Sequence, residues 1–275
     1  MSGLYGHTVL VTGGTSGIGL ATARLLAERG FTVYAASRSA AGSVEKMAGG
    51  GSIHPLVMDV TSADSVRTGV TAIRDEAGEI GIVVHSAGIG VAGAAADTPA
   101  EAVHRQLETN YFGVLNVDNA VLPGMIAARC GLVVIVSSVA ALFPVPFQSH
   151  YSSSKAALEA YGRALRMECH PYGVQVALVQ PGDTKTGFTA SRTYDVDETS
   201  PFFNACHRSV ARMEHDEMNG RPPETVARRI VALTDRAHPP VRNVVGLDYN
   251  ALVLASRLLP VSFIDWALGK MYIRK

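Results

Sequence analysis

Short apolar runs alternate with longer segments of helical periodicity along most of the chain. The apolar runs predict β-strands near residues 8–12, 32–37, 53–58, 81–85, 131–137, 174–179 and 242–246. The amphipathic segments predict helices near residues 17–30, 62–77, 99–128, 151–170 and 223–236. Strands buried on both faces are nearly continuous apolar runs. The alternation therefore predicts an α/β fold, a doubly wound parallel sheet of about seven strands with helices on both faces.

A glycine-rich turn joins the first predicted strand to the first predicted helix, in the segment HTVLVTGGTSGIGLATARLLAERG. Gly13 would permit the tight turn, Gly17 would let the backbone approach a pyrophosphate, and Gly19 would let the helix pack closely on the strand. The helix N-terminus would offer N–H groups and the positive end of its dipole to phosphates. Although the spacing is GxxxGxG, the strand, turn and helix together predict a dinucleotide-binding unit of the Rossmann type.

Three polar residues indicate a site of proton transfer. Ser138 follows a predicted buried strand, and Tyr151 and Lys155 lie four residues apart on the next predicted helix. That spacing places both side chains on one helix face. A free tyrosine has a pKa of about 10, and a lysine ammonium one turn away would lower it toward the working range. Ser138 would hydrogen-bond the same substrate oxygen.

Further short motifs follow one another in an order that resembles short-chain dehydrogenases/reductases. They are TGGTSGIG, Asp59–Val60, HSAG from His85 to Gly88, NYFG with Asn110, Ser138, YSSSK from Tyr151 to Lys155, and PGDTKT from Pro181 to Thr186. The resemblance covers most of the chain and implies a Rossmann-type oxidoreductase that uses a nicotinamide cofactor. Within the family, the chain is most similar to hydroxysteroid and retinol dehydrogenases.

The resemblance also implies a role for each matching residue. In the catalytic set, Tyr151 would give a proton to a carbonyl oxygen held by Ser138, Lys155 would bind the nicotinamide ribose and lower the pKa of Tyr151, and Asn110 would hold a water. The expected cofactor-binding residues are Gly13, Thr15, Ser16, Gly17, Ile18, Gly19, Ser37, Arg38, Asp59, Val60, Ala87, Gly88, Asn110, Tyr151, Lys155, Pro181, Gly182, Thr184 and Thr186.

The end of the second predicted strand indicates which cofactor binds. An acidic residue there would bond the ribose hydroxyls of NAD, but Ser37 occupies the position and Arg38 follows it. A guanidinium can bind a 2′-phosphate through two hydrogen bonds, which predicts NADP(H). A solvated arginine at a strand end is the alternative. Asp59 would accept a hydrogen bond from the adenine amino group, with Val60 against the ring.

Three positions depart from the family pattern. His85 replaces a common asparagine, and we expect a buried structural hydrogen bond there rather than a catalytic imidazole. Asp183 and Thr184 replace the usual residues after Pro181–Gly182, whereas Thr186 matches the hydroxyl that orients the nicotinamide.

The substrate class is indicated by two variable stretches and the C-terminal tail. The loop ALFPVPFQSH is apolar, a candidate lid spans about residues 187–222, and a C-terminal extension spans about residues 249–275. Apolar surroundings favour a large hydrophobic substrate, steroid-like or retinoid-like by preference, although ordinary core contacts would give the same pattern. The expected substrate contacts are Ser138, Phe143, Val145, Phe147, Tyr151 and Phe188.

Composition narrows the class of protein. The 275 residues are 47% hydrophobic, which suits one domain over residues 1–275. The 24 basic and 24 acidic residues balance, so we expect no nucleic-acid partner. Three scattered cysteines without metal-ligand spacing predict no metal and a cytoplasmic protein. The apolar tail is interrupted by charges, so we expect no transmembrane segment but a helix that covers the substrate cleft, while peripheral membrane contact or a subunit interface stays open. The resemblance implies a homodimer or homotetramer.

Two other functions remain open beside an NADP(H)-dependent oxidoreductase. A β-ketoacyl thioester reductase would favour a basic docking patch, for which the lid offers Arg192, Arg208, Arg212 and Arg221 mixed with acids. A non-catalytic NADPH-sensing regulator would be expected to lose the tyrosine or the lysine, and both are present.

Overall fold

Ten strands organise the part of the chain that the structure describes. The computed structural model describes residues 3–194 and 196–273. Its strands are β1 Thr8–Thr12, β2 Thr32–Ser37, β3 Glu45–Lys46, β4 Ser52–Val57, β5 Ile82–His85, β6 Val91–Ala92, β7 Gly131–Val136, β8 Val174–Pro181, β9 Thr193–Tyr194 and β10 Arg242–Val245.

Eight of these strands form one sheet in the order β10-β8-β7-β5-β1-β2-β4-β3. All neighbours are parallel except β3, which pairs antiparallel with β4 at the sheet edge. The seven parallel strands confirm the predicted fold class. The pattern did not predict β3 or the separate parallel pair of β6 and β9, because two-residue strands are too short to show any periodicity.

Helices connect and cover the strands. They are α1 Gly17–Glu28, α2 Ala63–Ala77, α3 Ala100–Leu107, α4 Gly113–Ala128, α5 Ser149–Cys169, α6 Phe188–Ser191, α7 Phe203–Met218, α8 Pro223–Thr234, α9 Leu247–Ser256 and α10 Val261–Tyr272. A π-helical turn, Glu108–Phe112, separates α3 from α4, so the single helix predicted over residues 99–128 was wrong. The predicted lid contains α6, β9 and α7, and the C-terminal extension contains α9 and α10.

Apolar residues cover both faces of the sheet, as a doubly wound fold requires. On one face, the core includes Leu26 of α1 and Ile230 of α8. On the other, it includes Ile73 of α2, Val117 of α4 and Leu158 of α5. The sheet is thereby held rigidly between two helical layers.

The carboxyl ends of the parallel strands lie at one edge of this sandwich. His85 and Pro181 are the last residues of β5 and β8, and Gly13 directly follows β1. Strand order reverses between β1 and β5, which is where such sheets open a ligand crevice. The fold therefore brings together three motifs that are far apart in the sequence.

Candidate active site

A cavity of about 1100 Å³ lies at this edge and extends from the start of α1 to the C-terminal helices. Of the residues predicted for the site, those that line it are Gly13, Ser16, Gly17, Ile18, Ala87, Gly88, Ser138, Phe143, Val145, Tyr151, Lys155, Pro181, Gly182, Thr184, Thr186 and Phe188. Those outside its lining are Thr15, Gly19, Ser37, Arg38, Asp59, Val60, Asn110 and Phe147. Phe147 packs instead with Ala92, Cys206, Val210 and Met213.

Tyr151 lies in the first turn of α5, beside the cavity. Its ring centroid is 5.6 Å from that of Phe188 in α6. Burial raises the pKa of Tyr151 to about 12, and a hydrogen bond with Ser138 acts in the lowering direction. The sequence predicted a lowered pKa, and the structure corrects that direction because desolvation of the phenolate outweighs the favourable contacts.

Lys155 lies one turn after Tyr151 and is only 7% exposed. Its Nζ donates a hydrogen bond to the Val136 carbonyl oxygen at 2.9 Å and lies 5.8 Å from the centroid of the Tyr151 ring. Burial lowers the pKa of Lys155 to about 8. The end of β7 therefore positions the amine, which is not in hydrogen-bonding contact with the tyrosine.

Ser138 follows β7 and caps the short 3₁₀ turn Val139–Ala141. Its Oγ accepts a hydrogen bond from the Ala140 N–H at 3.1 Å, which fixes the side chain beside Tyr151. The structure thus brings Ser138, Tyr151 and Lys155 to one wall of the cavity.

Asn110 lies in the π-helical turn and is fully buried. Its Oδ1 accepts from the Ile89 N–H at 2.8 Å, and its Nδ2 donates to the Ile89 oxygen at 3.0 Å and to Ser154 Oγ at 3.1 Å. These bonds tie the loop after β5 to α5. π-Helical turns of this kind are often found at functional sites.

The glycine-rich turn has the close packing that a dinucleotide cradle requires. Gly13 has φ +64°, and a Cβ atom there would lie 2.9 Å from the Ala87 backbone. A Cβ atom on Gly17 would lie 3.3 Å from the Thr186 side chain. Because α1 begins at Gly17 without a side-chain cap on Ser16, its first N–H groups remain available to phosphate oxygens. These residues fit the pyrophosphate of a dinucleotide.

The end of β2 and the turn after β4 have the features expected at the adenosine end. Ser37 Oγ is buried and has no hydrogen-bond partner within the described ranges, whereas Arg38 is exposed beside it. Asp59 Oδ1 accepts from both the backbone N–H and the hydroxyl of Thr61. The Ser37 hydroxyl, which has no partner, and the exposed Arg38 guanidinium can hydrogen-bond the hydroxyls of a ribose or the oxygens of its phosphate.

His85 belongs to a buried hydrogen-bond network. Its Nε2 lies 2.8 Å from Asp118 Oδ1, and both side chains are about 1% exposed. The Tyr161 hydroxyl donates to Asp118 Oδ2 at 2.8 Å, and burial together with the Asp118 carboxylate raises the pKa of Tyr161. The network joins β5, α4 and α5, which is the structural role expected for His85.

Sequence patterns did not reveal the contacts that join the two ends of the predicted lid to each other. Arg192 and Glu217 form an ion pair, and the Thr189 hydroxyl donates to Glu217 Oε2 at 2.6 Å. The Arg192 guanidinium also lies 5.8 Å from the centroid of the Phe188 ring. Because Arg192 and Glu217 are 25 residues apart, no local motif joins them.

Comparison with known proteins is consistent with this geometry. A family model described as short chain dehydrogenase matches residues 7–197. The chain belongs to this family. Its members are oxidoreductases that use a nicotinamide cofactor.

Relatives of the dehydrogenase match nearly its whole length. It is 37% identical over 267 residues to a 3-ketodihydrosphingosine reductase of Bacteroides thetaiotaomicron, covering 96% of this chain and 97% of the relative. It is 30% identical to retinol dehydrogenase 8 of Bos taurus, covering 98% and 88%. A short-chain dehydrogenase from Streptomyces avermitilis has a similar fold, with a TM-score of 0.77 at 23% identity, covering 96% and 98%.

Burial of Lys155 predicts a specific pH dependence of stability in this dehydrogenase. The pKa of Lys155 is about 8 in the folded protein against 10.5 for an ordinary lysine, so between those pH values the unfolded chain binds more protons. Stability due to this group therefore rises with pH across that window. Buried tyrosines with raised pKa values make stability fall as pH nears 10.5, so the effect of Lys155 is the difference between two profiles. In urea unfolding from pH 7 to pH 10.5, we expect the free energy of unfolding of the unmodified protein to increase by about 3 kcal/mol relative to that of Lys155→Met.

The exposed Lys46 is the matched control, and we expect Lys46→Met to keep the pH profile of the unmodified protein. Parallel profiles for Lys155→Met and the unmodified protein would contradict a lowered pKa at Lys155.

Proposed function

We propose that this dehydrogenase interconverts a ketone and a secondary alcohol on a long apolar substrate, using NADP(H). The observation that carries the proposal is one continuous cavity that has Ser138, Tyr151 and Lys155 on one wall and apolar side chains on others. The apolar lining includes Phe143, Val145, Phe188, Met213, Leu252 and Leu268. Such a lining favours a hydrophobic substrate, and the polar wall favours a carbonyl placed against it.

The residues of the polar wall have complementary roles in ketone reduction. When bound, the reduced nicotinamide supplies a hydride to the carbonyl carbon. The Tyr151 hydroxyl gives its proton to the carbonyl oxygen, which completes the alcohol. Ser138 donates a hydrogen bond to the same oxygen as negative charge develops on it. Lys155, held by the Val136 carbonyl, would bind the ribose of the cofactor.

Asp183 supports a narrower substrate class, a long-chain ketone with a neighbouring ammonium group. It lines the cavity, and its Oδ2 accepts a hydrogen bond from the Tyr249 hydroxyl. Within residues 3–194 and 196–273, Asp183 has no ion-pair partner, whereas Asp216 and Asp248 pair with Arg212 and Arg221. A carboxylate outside any ion pair, in a cavity that also has apolar walls, suits an amino ketone such as the substrate named for the Bacteroides relative.

Turnover of matched ketones tests this function. We expect the purified protein to reduce 3-ketodihydrosphingosine with NADPH and to reduce the same chain without the amine more slowly. Loss of a charge-assisted hydrogen bond should lower kcat/KM of Asp183→Asn for the amino ketone by about tenfold or more, with little change for the amine-free ketone.

Asp64→Asn is the control for removal of a paired carboxylate outside the cavity, and it should leave the turnover of both ketones unchanged. Equal losses on both ketones in Asp183→Asn would contradict amine recognition. Activity on retinal or a steroid ketone alone would move the substrate to the retinoid or steroid class.

The cofactor preference rests on Arg38. We expect Arg38→Ala to raise KM for NADPH by about tenfold to a hundredfold and to leave KM for NADH nearly unchanged, because only NADPH carries the 2′-phosphate. Initial rates with both cofactors measure the effect. Arg67→Ala, which removes an exposed arginine of α2, should change neither value. A wild-type preference for NADH would refute the proposal.

The two alternative functions receive less support. Three of the four arginines that would form a carrier-docking patch are paired with acids, namely Arg192, Arg212 and Arg221. Their charge is therefore neutralised where a thioester carrier would dock. A cofactor-sensing regulator has no need of a proton donor and an amine beside an apolar cavity, and this chain retains both.

A further inference from the structure

Exposed apolar side chains are concentrated at the C-terminal end of the protein. Large apolar residues are exposed at nineteen positions of the described ranges, and ten of these lie between Leu247 and Ile273. Leu254, Leu258 and Val261 are 63%, 86% and 72% exposed, and neither α9 nor α10 has a buried residue. We call the exposed apolar side chains of α9, α10 and their connection the C-terminal surface. So large an apolar patch indicates a binding surface.

The charge of this segment identifies a partner chemistry. From the start of α9, residues 247–275 contain Arg257, Lys270, Arg274 and Lys275 and two acids, Asp248 and Asp265, in a chain whose net charge is zero. Asp248 is paired with Arg221 outside this segment. A second copy of the chain would bring this basic excess against itself, because a two-fold interface pairs the same patch on both subunits. An anionic lipid surface instead complements both the apolar side chains and the basic excess.

Aromatic residues on α10 also suit a bilayer interface. Trp266 is 50% exposed, its ring lies 5.7 Å from that of Phe263, and Lys270 Nζ lies 5.4 Å from its centroid. Tryptophan and lysine are suited to the level of lipid headgroups, where an apolar body and a polar end are both satisfied.

The lengths of the two helices define how they would bind. α9 has 10 residues and α10 has 12, which correspond to lengths of about 15 Å and about 18 Å. The hydrocarbon core of a bilayer is about 30 Å thick. Among residues 3–194 and 196–273, no helix is both long and apolar enough to cross a membrane. Binding would therefore place α9 and α10 in the plane of the interface.

The C-terminal surface is continuous with the substrate cavity. Leu252 and Met271 line the cavity and are also 47% and 54% exposed, so they form part of its rim. We propose that α9 and α10 dock on an anionic bilayer and that the cavity receives its long-chain ketone directly from the lipid. The delivery of substrate rests on the proposed function, whereas membrane docking does not.

Vesicle co-sedimentation of the full chain tests the docking. We expect the protein to pellet with vesicles of phosphatidylglycerol and phosphatidylcholine and much less with phosphatidylcholine alone. The double variant Leu254→Glu/Leu258→Glu should lose about tenfold or more of its partitioning for each leucine. Neither leucine lines the cavity, so turnover of a short water-soluble ketone should be unchanged while KM for a vesicle-embedded ketone rises.

Val44→Glu is the control, because Val44 is 46% exposed at a distant point of the sequence, and it should bind vesicles like the unmodified protein. Three results would overturn the proposal. They are an unmodified protein that stays in the supernatant, a double variant that binds normally, and a double variant that turns an oligomer into a monomer without vesicles. Because sedimentation needs no turnover, failure of the docking is distinguishable from failure of the proposed function.

Discussion

Tyr151→Phe is expected to lower kcat for ketone reduction by about 10²-fold to 10⁴-fold, the usual contribution of a positioned general acid. The substitution removes one oxygen atom and keeps the ring that packs against Phe188. Its effect should therefore appear in kcat, while the KM for NADPH changes little. Steady-state rates over the ketones described above measure both constants.

The raised pKa of Tyr151 adds a pH dependence to the result expected for Tyr151→Phe. With a pKa of about 12, Tyr151 is protonated at neutral pH and can donate to a carbonyl oxygen. Alcohol oxidation needs the phenolate, so its rate should rise with pH in the unmodified protein, and this rise should be absent from Tyr151→Phe. Tyr172→Phe, at an exposed tyrosine, is the control. Retention of more than about a tenth of kcat in Tyr151→Phe would exclude Tyr151 as the proton donor.

Asp118→Ala is expected to lower the free energy of unfolding by about 3 to 5 kcal/mol. The carboxylate accepts hydrogen bonds from His85 and Tyr161, and its removal leaves two buried polar groups without a partner. It also leaves a cavity between α4 and α5. Urea unfolding followed by circular dichroism measures the loss.

Asp64→Ala provides the comparison for removal of an exposed carboxylate. Asp64 pairs with Arg67 on the surface of α2, where an ion pair contributes about 1 kcal/mol or less. A loss in Asp118→Ala no larger than that in Asp64→Ala would show that the His85 network does not stabilise the fold.

Local sequence determined much of this fold. The apolar runs located all seven parallel strands within one or two residues. The signal is clearest for β1, β5 and β7, which are buried along their whole length as strands covered on both faces must be. The Gly13–Gly19 turn could be predicted from the sequence because a tight strand-to-helix turn needs glycines at particular positions. The YSSSK spacing placed Tyr151 and Lys155 on one helix face, since helical geometry alone requires it.

Other features depend on which segments meet in space. The helix predicted over residues 99–128 is interrupted where Asn110 hydrogen-bonds the Ile89 backbone. The apolar periodicity of a helix carries no information about such a contact with a distant segment. Likewise, the Arg192–Glu217 pair joins α7 to the segment that follows α6. Such contacts form only when the chain has folded, so no short sequence motif predicts them.

The sequence by itself determined the family and the sheet, and it predicted the reacting groups, because each follows from local spacing and apolar patterning. Only the tertiary structure decided their electrostatic state. The sequence places Lys155 one turn from Tyr151, but the degree of burial makes the tyrosine a weaker acid and the lysine a weaker base. Burial also depends on distant segments. α6 packs beside Tyr151, whereas α9 and α10 leave their apolar side chains exposed at the mouth of the same cavity.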